Sequence, residues 1–287
     1  MSSDTPHAGI DALLPQEVAE KAEALGIQKA RRDAVTLFVL GVLAGAFIAL
    51  GAMFATTVLA GSEGVLPFGV SRLLAGLVFC LGLILVILGG AELFTGNALM
   101  VMALAAGKLS LGAMLRAWGI VYAGNLVGAL GTAALVFLSG QYLAADGAVA
   151  RVALSLASDK ATLPFDRALF LGILCNVLVC LAVWLALGAR STTDKVMAIV
   201  FPVSAFVVAG FEHSVANMYL IPLGLLIKWL APAALWSALA TTPAELGGLT
   251  LGGLFANLVP VTIGNVIGGG VLVGAVYWFV YLRTRAK

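Results

Sequence analysis

Gly210-Phe211-Glu212-His213-Ser214-Val215-Ala216-Asn217 is a polar interruption in an otherwise apolar stretch running from Val196 to Leu230. Ionisable side chains at membrane depth are costly, and they mark transport pathways, proton relays or ligand contacts. The motif has an echo. Gly90-Ala91-Glu92 precedes Asn97 with the spacing at which Gly210-Phe211-Glu212 precedes Asn217, so GxExxxxN occurs twice, each time inside a long hydrophobic segment.

Across the chain, six segments are long enough to cross a bilayer: 34 to 60, 71 to 106, 111 to 139, 165 to 188, 196 to 230 and 252 to 282. A span needs only about 20 apolar residues. The second and fifth segments are too long for that and carry the two motifs, so both are expected to be discontinuous: a helix, an irregular turn, then a half-helix. Non-helical backbone at that depth is tolerated only where protein buries it or a polar cavity meets it. Hydrophobic residues make up 62% of the 287 and charged residues 10%, which excludes an ordinary soluble domain. The net charge of +2 and the absence of a basic run give no footing for nucleic acid.

The repetition extends further. Leu40-Gly41-Val42-Leu43 resembles Leu171-Gly172-Ile173-Leu174, and Gly124-Asn125-Leu126-Val127-Gly128 resembles Gly264-Asn265-Val266-Ile267-Gly268. Three matched pairs in one order predict a three-plus-three duplication, over about 33 to 139 and 165 to 282. With an odd number of spans per unit the second copy is inverted, and such repeats place the binding site at their interface near the midplane. The GxxxG spacings at Gly41/Gly45, Gly124/Gly128 and Gly264/Gly268 predict close helix contacts.

Orientation follows from Lys and Arg near the segment ends. With both termini cytoplasmic, eleven fall inside (Lys21, Lys29, Arg31, Arg32, Lys108, Arg116, Arg190, Lys195, Arg283, Arg285, Lys287) and five outside (Arg72, Arg151, Lys160, Arg167, Lys228). The stretch from 140 to 164 is then an external loop. Residues 1 to 32 lack the apolar core of a removable signal peptide and are expected to stay on as a cytoplasmic segment preceding the channel domain of 33 to 287. Leu14, Val18, Ala22 and Leu25 recur there at helical spacing opposite Glu17, Glu20, Lys21 and Glu23. That amphipathic helix either anchors the first span or covers the cytoplasmic mouth.

His213 is the only histidine in the apolar part of the chain; His7 lies in the polar tail. Burial keeps an imidazole neutral, whereas an adjacent anion favours its protonation, so His213 reads as a substrate-dependent proton switch or as a histidine satisfied by a helix carbonyl. Glu212 and Glu92 are expected to accept hydrogen bonds from the free backbone amides of the half-helices that follow them. Thr95, in an irregular turn, offers a hydroxyl to a passing anion or to His213; Asn125 and Asn265 offer amide donors from matched positions, and Asn176, Asn97 and Asn217 supply further polar groups near the breaks, most of these residues being expected to fasten broken backbone. Cys80, Cys175 and Cys180 lie in apolar runs and read as small core residues. No CxxC, HExxH or Walker loop is present, so neither a metal set nor a cofactor site is expected, and a membrane-embedded enzyme lacks a nucleophile.

Glu92-Leu93-Phe94-Thr95, the stretch from Gly210 to Asn217 and Pro260-Val261-Thr262-Ile263-Gly264-Asn265 resemble the formate/nitrite transporter family over nearly the whole chain, closest to its formate channels. The resemblance implies an all-α, aquaporin-like fold with six transmembrane helices. It implies a homopentamer in lipid of the bacterial inner membrane, each protomer with its own pore. It puts the family's central histidine on His213 and its loop threonine on Thr95, with Asn265, Glu212 and Asn176 as further polar groups. Apolar constrictions are implied at Phe79, Leu83, Leu93 and Phe206, and Lys160 is implied as an external cation that draws anions in. The expected cargo is formate, with proton linkage through His213. A nitrite or hydrosulfide channel of the same fold is the nearest alternative, and an aquaporin-like neutral pore a more distant one, since neither break contains Asn-Pro-Ala.

Overall fold

The computed structural model describes residues 11–285, and all regular structure among them is helical. His7, Lys287 and the start of the N-terminal segment lie outside the described residues. Helix α1 (Pro15–Arg31) precedes α2 (Ala34–Leu59) and α3 (Phe68–Gly89). After the first break come a 3-10 turn (Gly96–Met100) and the short α4 (Val101–Ala105), then α5 (Leu111–Leu138). The second half runs α6 (Ala148–Ala161), α7 (Phe165–Gly188), α8 (Thr192–Val208), α9 (Ser214–Leu230) and α10 (Ala233–Leu239). It ends with α11 (Leu251–Val266), a π-helical stretch (Ile267–Ala275) and α12 (Val276–Tyr281).

Among the described residues five helices are long and apolar enough to cross a membrane, and a sixth is counted when α9 and α10, bent by 110°, are taken together. The chain is a multi-pass membrane protein. Phe165, Phe170, Phe201 and Phe255 are all more than half exposed, an apolar exterior that suits acyl chains rather than water.

Helix α2 packs on α3 and α5, α7 packs in the same way on α8 and α11, and α3 against α8 joins the two sets. Glycine makes the tightest of these contacts possible. A Cβ on Gly45 would lie 2.0 Å from the Asn125 carbonyl oxygen and one on Gly128 2.0 Å from that of Val42, so α2 and α5 touch backbone to backbone. On α11 and the π stretch, a Cβ on Gly264 would lie 2.3 Å from the Leu169 carbonyl oxygen and one on Gly268 2.1 Å from that of Ile173, both on α7.

Two local expectations are corrected. The stretch from 140 to 164 is largely a helix, α6, which seats Val149, Ala153, Leu154, Ala157 and Ala161 against the protein and packs on α9. On α1, Val18 and Ala22 are buried but Leu14 is 68% exposed; the buried face continues through Ala19, Gly26 and Ala30. Gly26 is where α1 meets the first break, with space for no more than 3.3 Å between an added Cβ and the Met100 Cα.

Candidate functional site

Both breaks begin at a glycine in the left-handed region, Gly90 at φ 78° and Gly210 at φ 74°, which stops the helix and turns the chain. Beyond each glycine the same set of bonds holds the irregular backbone. The Glu92 amide donates to the Leu40 carbonyl at 3.1 Å and the Glu212 amide to that of Leu171 at 3.3 Å. Asn125 Nδ2 donates to the carbonyls of Gly41 (2.8 Å) and Glu92 (2.9 Å), and its Oδ1 accepts from the Phe94 amide at 2.9 Å. Asn265 Nδ2 donates to the carbonyls of Gly172 (2.8 Å) and Glu212 (3.0 Å), and its Oδ1 accepts from the Ser214 amide at 3.0 Å. Each asparagine thus supplies main-chain partners that the irregular segment has lost, where an unpaired buried amide or carbonyl would be costly.

The buried carboxylates are also treated alike. Glu92, 2% exposed, meets Lys29 Nζ at 2.9 Å, Arg32 Nη1 at 2.5 Å and Asn97 Nδ2 at 2.9 Å. Glu212, 4% exposed, meets Lys160 Nζ at 2.7 Å and Asn217 Nδ2 at 2.6 Å, with Asn257 Nδ2 at 3.3 Å. One anion is neutralised by α1 and the other by α6. A buried charge is tolerable only when paired and hydrogen-bonded in this way.

The capping role expected of Glu212 falls to His213. No backbone amide of α9 reaches the Glu212 carboxylate; His213 is the N-cap, and its Nδ1 accepts the Ala216 amide hydrogen at 3.1 Å. A ring nitrogen that accepts carries no proton, so the hydrogen-bond partners assign the neutral ring's proton to Nε2. That nitrogen lies 2.9 Å from Thr95 Oγ1. Histidine therefore donates to threonine, and the Thr95 hydroxyl hydrogen, with no other protein acceptor among the described residues, is left available.

Two separate cavities approach this pair. The smaller, about 80 Å³, is lined by Arg72, Phe79, Lys160, Phe206 and His213. The larger, about 300 Å³, is lined by Lys21, Lys29, Lys195, Leu83, Glu92 and Leu93. Along α3 the first touches Arg72, Ala75 and Phe79 and the second Leu83, Val86 and Ile87, so the boundary falls within one helical turn, about 6 Å. Apolar side chains close it: Phe79 and Phe206 meet edge to face at 5.6 Å, and Phe206 lies 6.1 Å from the His213 ring at an interplanar angle of 19°. Among the described residues no group of His, Cys, Asp or Glu is placed to hold a metal.

A model of the formate/nitrite transporter family matches residues 16–279. The chain belongs to that family. It is 44% identical over 284 residues to "Formate channel FocA" of Escherichia coli (strain K12), covering 99% of this chain and 98% of that one. It is 38% identical over 275 residues to "Formate channel FocA" of Haemophilus influenzae, covering 96% of each. Among solved structures it is similar to a "Pentameric formate channel with formate bound", with a TM-score of 0.83, 41% identity, and coverage of 87% of this chain and 98% of that chain.

In this formate/nitrite transporter the residues singled out from sequence divide into two sets. Thr95, His213, Phe79, Leu83, Leu93 and Phe206 converge where the cavities approach each other. Asn265 does not offer a donor there, because both its amide hydrogens are given to carbonyls. Asn176 Nδ2 donates to the carbonyls of Thr95 (3.1 Å) and Asn265 (2.5 Å), tying the two breaks together. Lys160 is not a free external cation but the 15% exposed partner of Glu212. Sequence reading passed over Asn257, whose amide links Glu212 and Asn217 and donates to the Lys160 carbonyl at 3.0 Å. A lone polar residue within the last apolar segment was its available signal.

Proposed function

We infer that this chain is a formate channel of a bacterial inner membrane, moving formate and similar monovalent weak-acid anions past Thr95 and His213. The observation that carries this reading is the donor chain His213 Nε2–H to Thr95 Oγ1, set between apolar constrictions at the meeting point of two cavities. The names borne by its relatives favour formate over nitrite and hydrosulfide. Likeness to a pentameric formate channel supports a homopentamer in lipid with one passage per protomer. The twin hydrogen-bond sets around Asn125 and Asn265 support an inverted, aquaporin-like three-plus-three repeat, and the Lys/Arg bias supports cytoplasmic termini.

Formate sheds water at the Phe79–Phe206 constriction and meets the Thr95 hydroxyl, whose oxygen already accepts from His213. Donation into a chain of hydrogen bonds strengthens each link, which offsets part of the lost hydration. A charge at the bilayer centre costs about 2.5 to 3.5 kcal/mol on insertion scales, so the remaining step past Leu83 and Leu93 favours the neutral acid. Nδ1 first takes a proton from water in the pathway once it is released from the Ala216 amide, because two N–H groups cannot face each other there, and the ring becomes an imidazolium. Nε2 then gives its proton to the Thr95 hydroxyl as that hydroxyl gives its own to formate, which leaves formic acid and a neutral ring protonated at Nδ1. Asn265, Asn176 and Glu212 hold the geometry. Formate, nitrite and hydrosulfide flux into proteoliposomes, with and without an inward proton gradient, tests this reading: formate flux accelerated by the gradient supports it, and a protein that passes nitrite or hydrosulfide but not formate overturns it.

A further inference from the structure

Resemblance points to Lys160 as the cation that draws anions in, yet its ammonium is neutralised by Glu212 at 2.7 Å. A charge already paired in a low-dielectric site attracts a third ion weakly. The smaller cavity has a second cation. Arg72 lies in the first turns of α3, half-buried, with Nε 3.5 Å from the Val208 carbonyl. Neither of its terminal nitrogens has an acceptor among the described residues, and no carboxylate there pairs with it. A Cβ on Gly210 would come within 3.0 Å of its Nη2, so the glycine that breaks the fifth segment also leaves room for this guanidinium.

The larger cavity repeats the arrangement. Lys195 lies in the first turn of α8, half-buried, and lines that cavity with no acceptor for its ammonium among the described residues. The adjacent carboxylate, Asp194, accepts the Ser191 amide at 3.0 Å in a capping box. The neighbouring Lys29 and Arg32 are committed to Glu92. Lys21 gives its ammonium to the Leu187 carbonyl at 2.8 Å, and burial, then the charges of Lys195 and Arg190, hold it below the ordinary lysine range. The two broken segments thus each begin with one cation that no carboxylate among the described residues pairs, Arg72 having only the Phe68 ring at 5.8 Å from its Cζ, and each cation faces a different cavity.

We propose that Arg72 and Lys195 are the anion-recruiting residues of the two mouths, one per side, and that Lys160 instead holds the second break. The inference rests on the anion-channel reading above. A lone cation at a cleft with low-dielectric walls focuses the field and raises the local anion concentration, an effect that salt screens. Formate uptake into proteoliposomes of uniform orientation, begun with formate on one side only and measured across ionic strength, tests it. R72Q raises half-saturating formate about threefold to tenfold from the smaller cavity's side at low salt and flattens the salt dependence there; K195Q does the same from the opposite side only. R72K and K195R restore both readouts. If Arg72 merely capped α8, R72Q would lower the melting temperature and saturating flux from both sides with the salt dependence intact. That result, or unchanged half-saturation in both variants while wild type carries formate, overturns the proposal. A wild type that carries no formate refutes the functional reading instead, and the same sided comparison with nitrite then decides the role of the two cations.

Discussion

At His213 one nitrogen holds a helix and the other meets Thr95, and the two tasks can be pulled apart. Asparagine at an N-cap accepts the same kind of amide bond but offers nothing at the Nε2 position. His213→Asn is therefore expected to melt within a few degrees of wild type while losing at least tenfold of proton-gradient-driven formate uptake; equal uptake would refute the donor role. His213→Phe removes both functions and should lose thermal stability as well. Thr95→Val leaves the imidazole N–H buried without an acceptor, a penalty of about 1–3 kcal/mol, and Thr95→Ser restores both stability and flux. The sequence exposed this residue pair because ionisable groups are rare in apolar runs. It could not say which member caps α9, because that depends on backbone angles: His213 has φ −110° and ψ 114°, the extended conformation of an N-cap.

Among the elements, α2 and α5 are held by backbone contact rather than side-chain interdigitation. Gly128→Ala forces a methyl into the Val42 carbonyl, whereas Gly131 on the same helix has nothing within 4 Å of an added Cβ. The first substitution should destabilise the detergent-solubilised protein by about 1–3 kcal/mol or prevent assembly; the second should be neutral, and thermal melts of both check the contrast. These contacts were legible, since GxxxG states a spacing that only close packing explains. The breaks were legible for a similar reason: the segments were too long and each carried a carboxylate. Helix α6 was not, because its buried face is largely alanine and its charges, among them Asp159 and Lys160, lie close to it, so no large apolar period stands out.

Across the whole molecule, two helices outside the spanning set supply the countercharges for the two breaks, α1 through Lys29 and its C-cap residue Arg32, and α6 through Lys160. Lys160→Met strands the Glu212 carboxylate and is expected to cost about 3–5 kcal/mol. Adding Glu212→Gln to it should recover most of that loss, a coupling that a double-mutant cycle on melting temperature measures. The same cycle on Lys29, Arg32 and Glu92 extends the test to α1. That pairing was out of reach from sequence, because nothing local says that residue 160 meets residue 212.

The two asparagines carry a further consequence, in the order of synthesis. Each break has a backbone amide whose partner is a side chain that emerges later: Phe94 waits for Asn125, and Ser214 for Asn265. During translation each irregular segment therefore reaches the bilayer before the residue that satisfies it. Helices α5 and α11 act as the latches that end a vulnerable interval for the nascent chain.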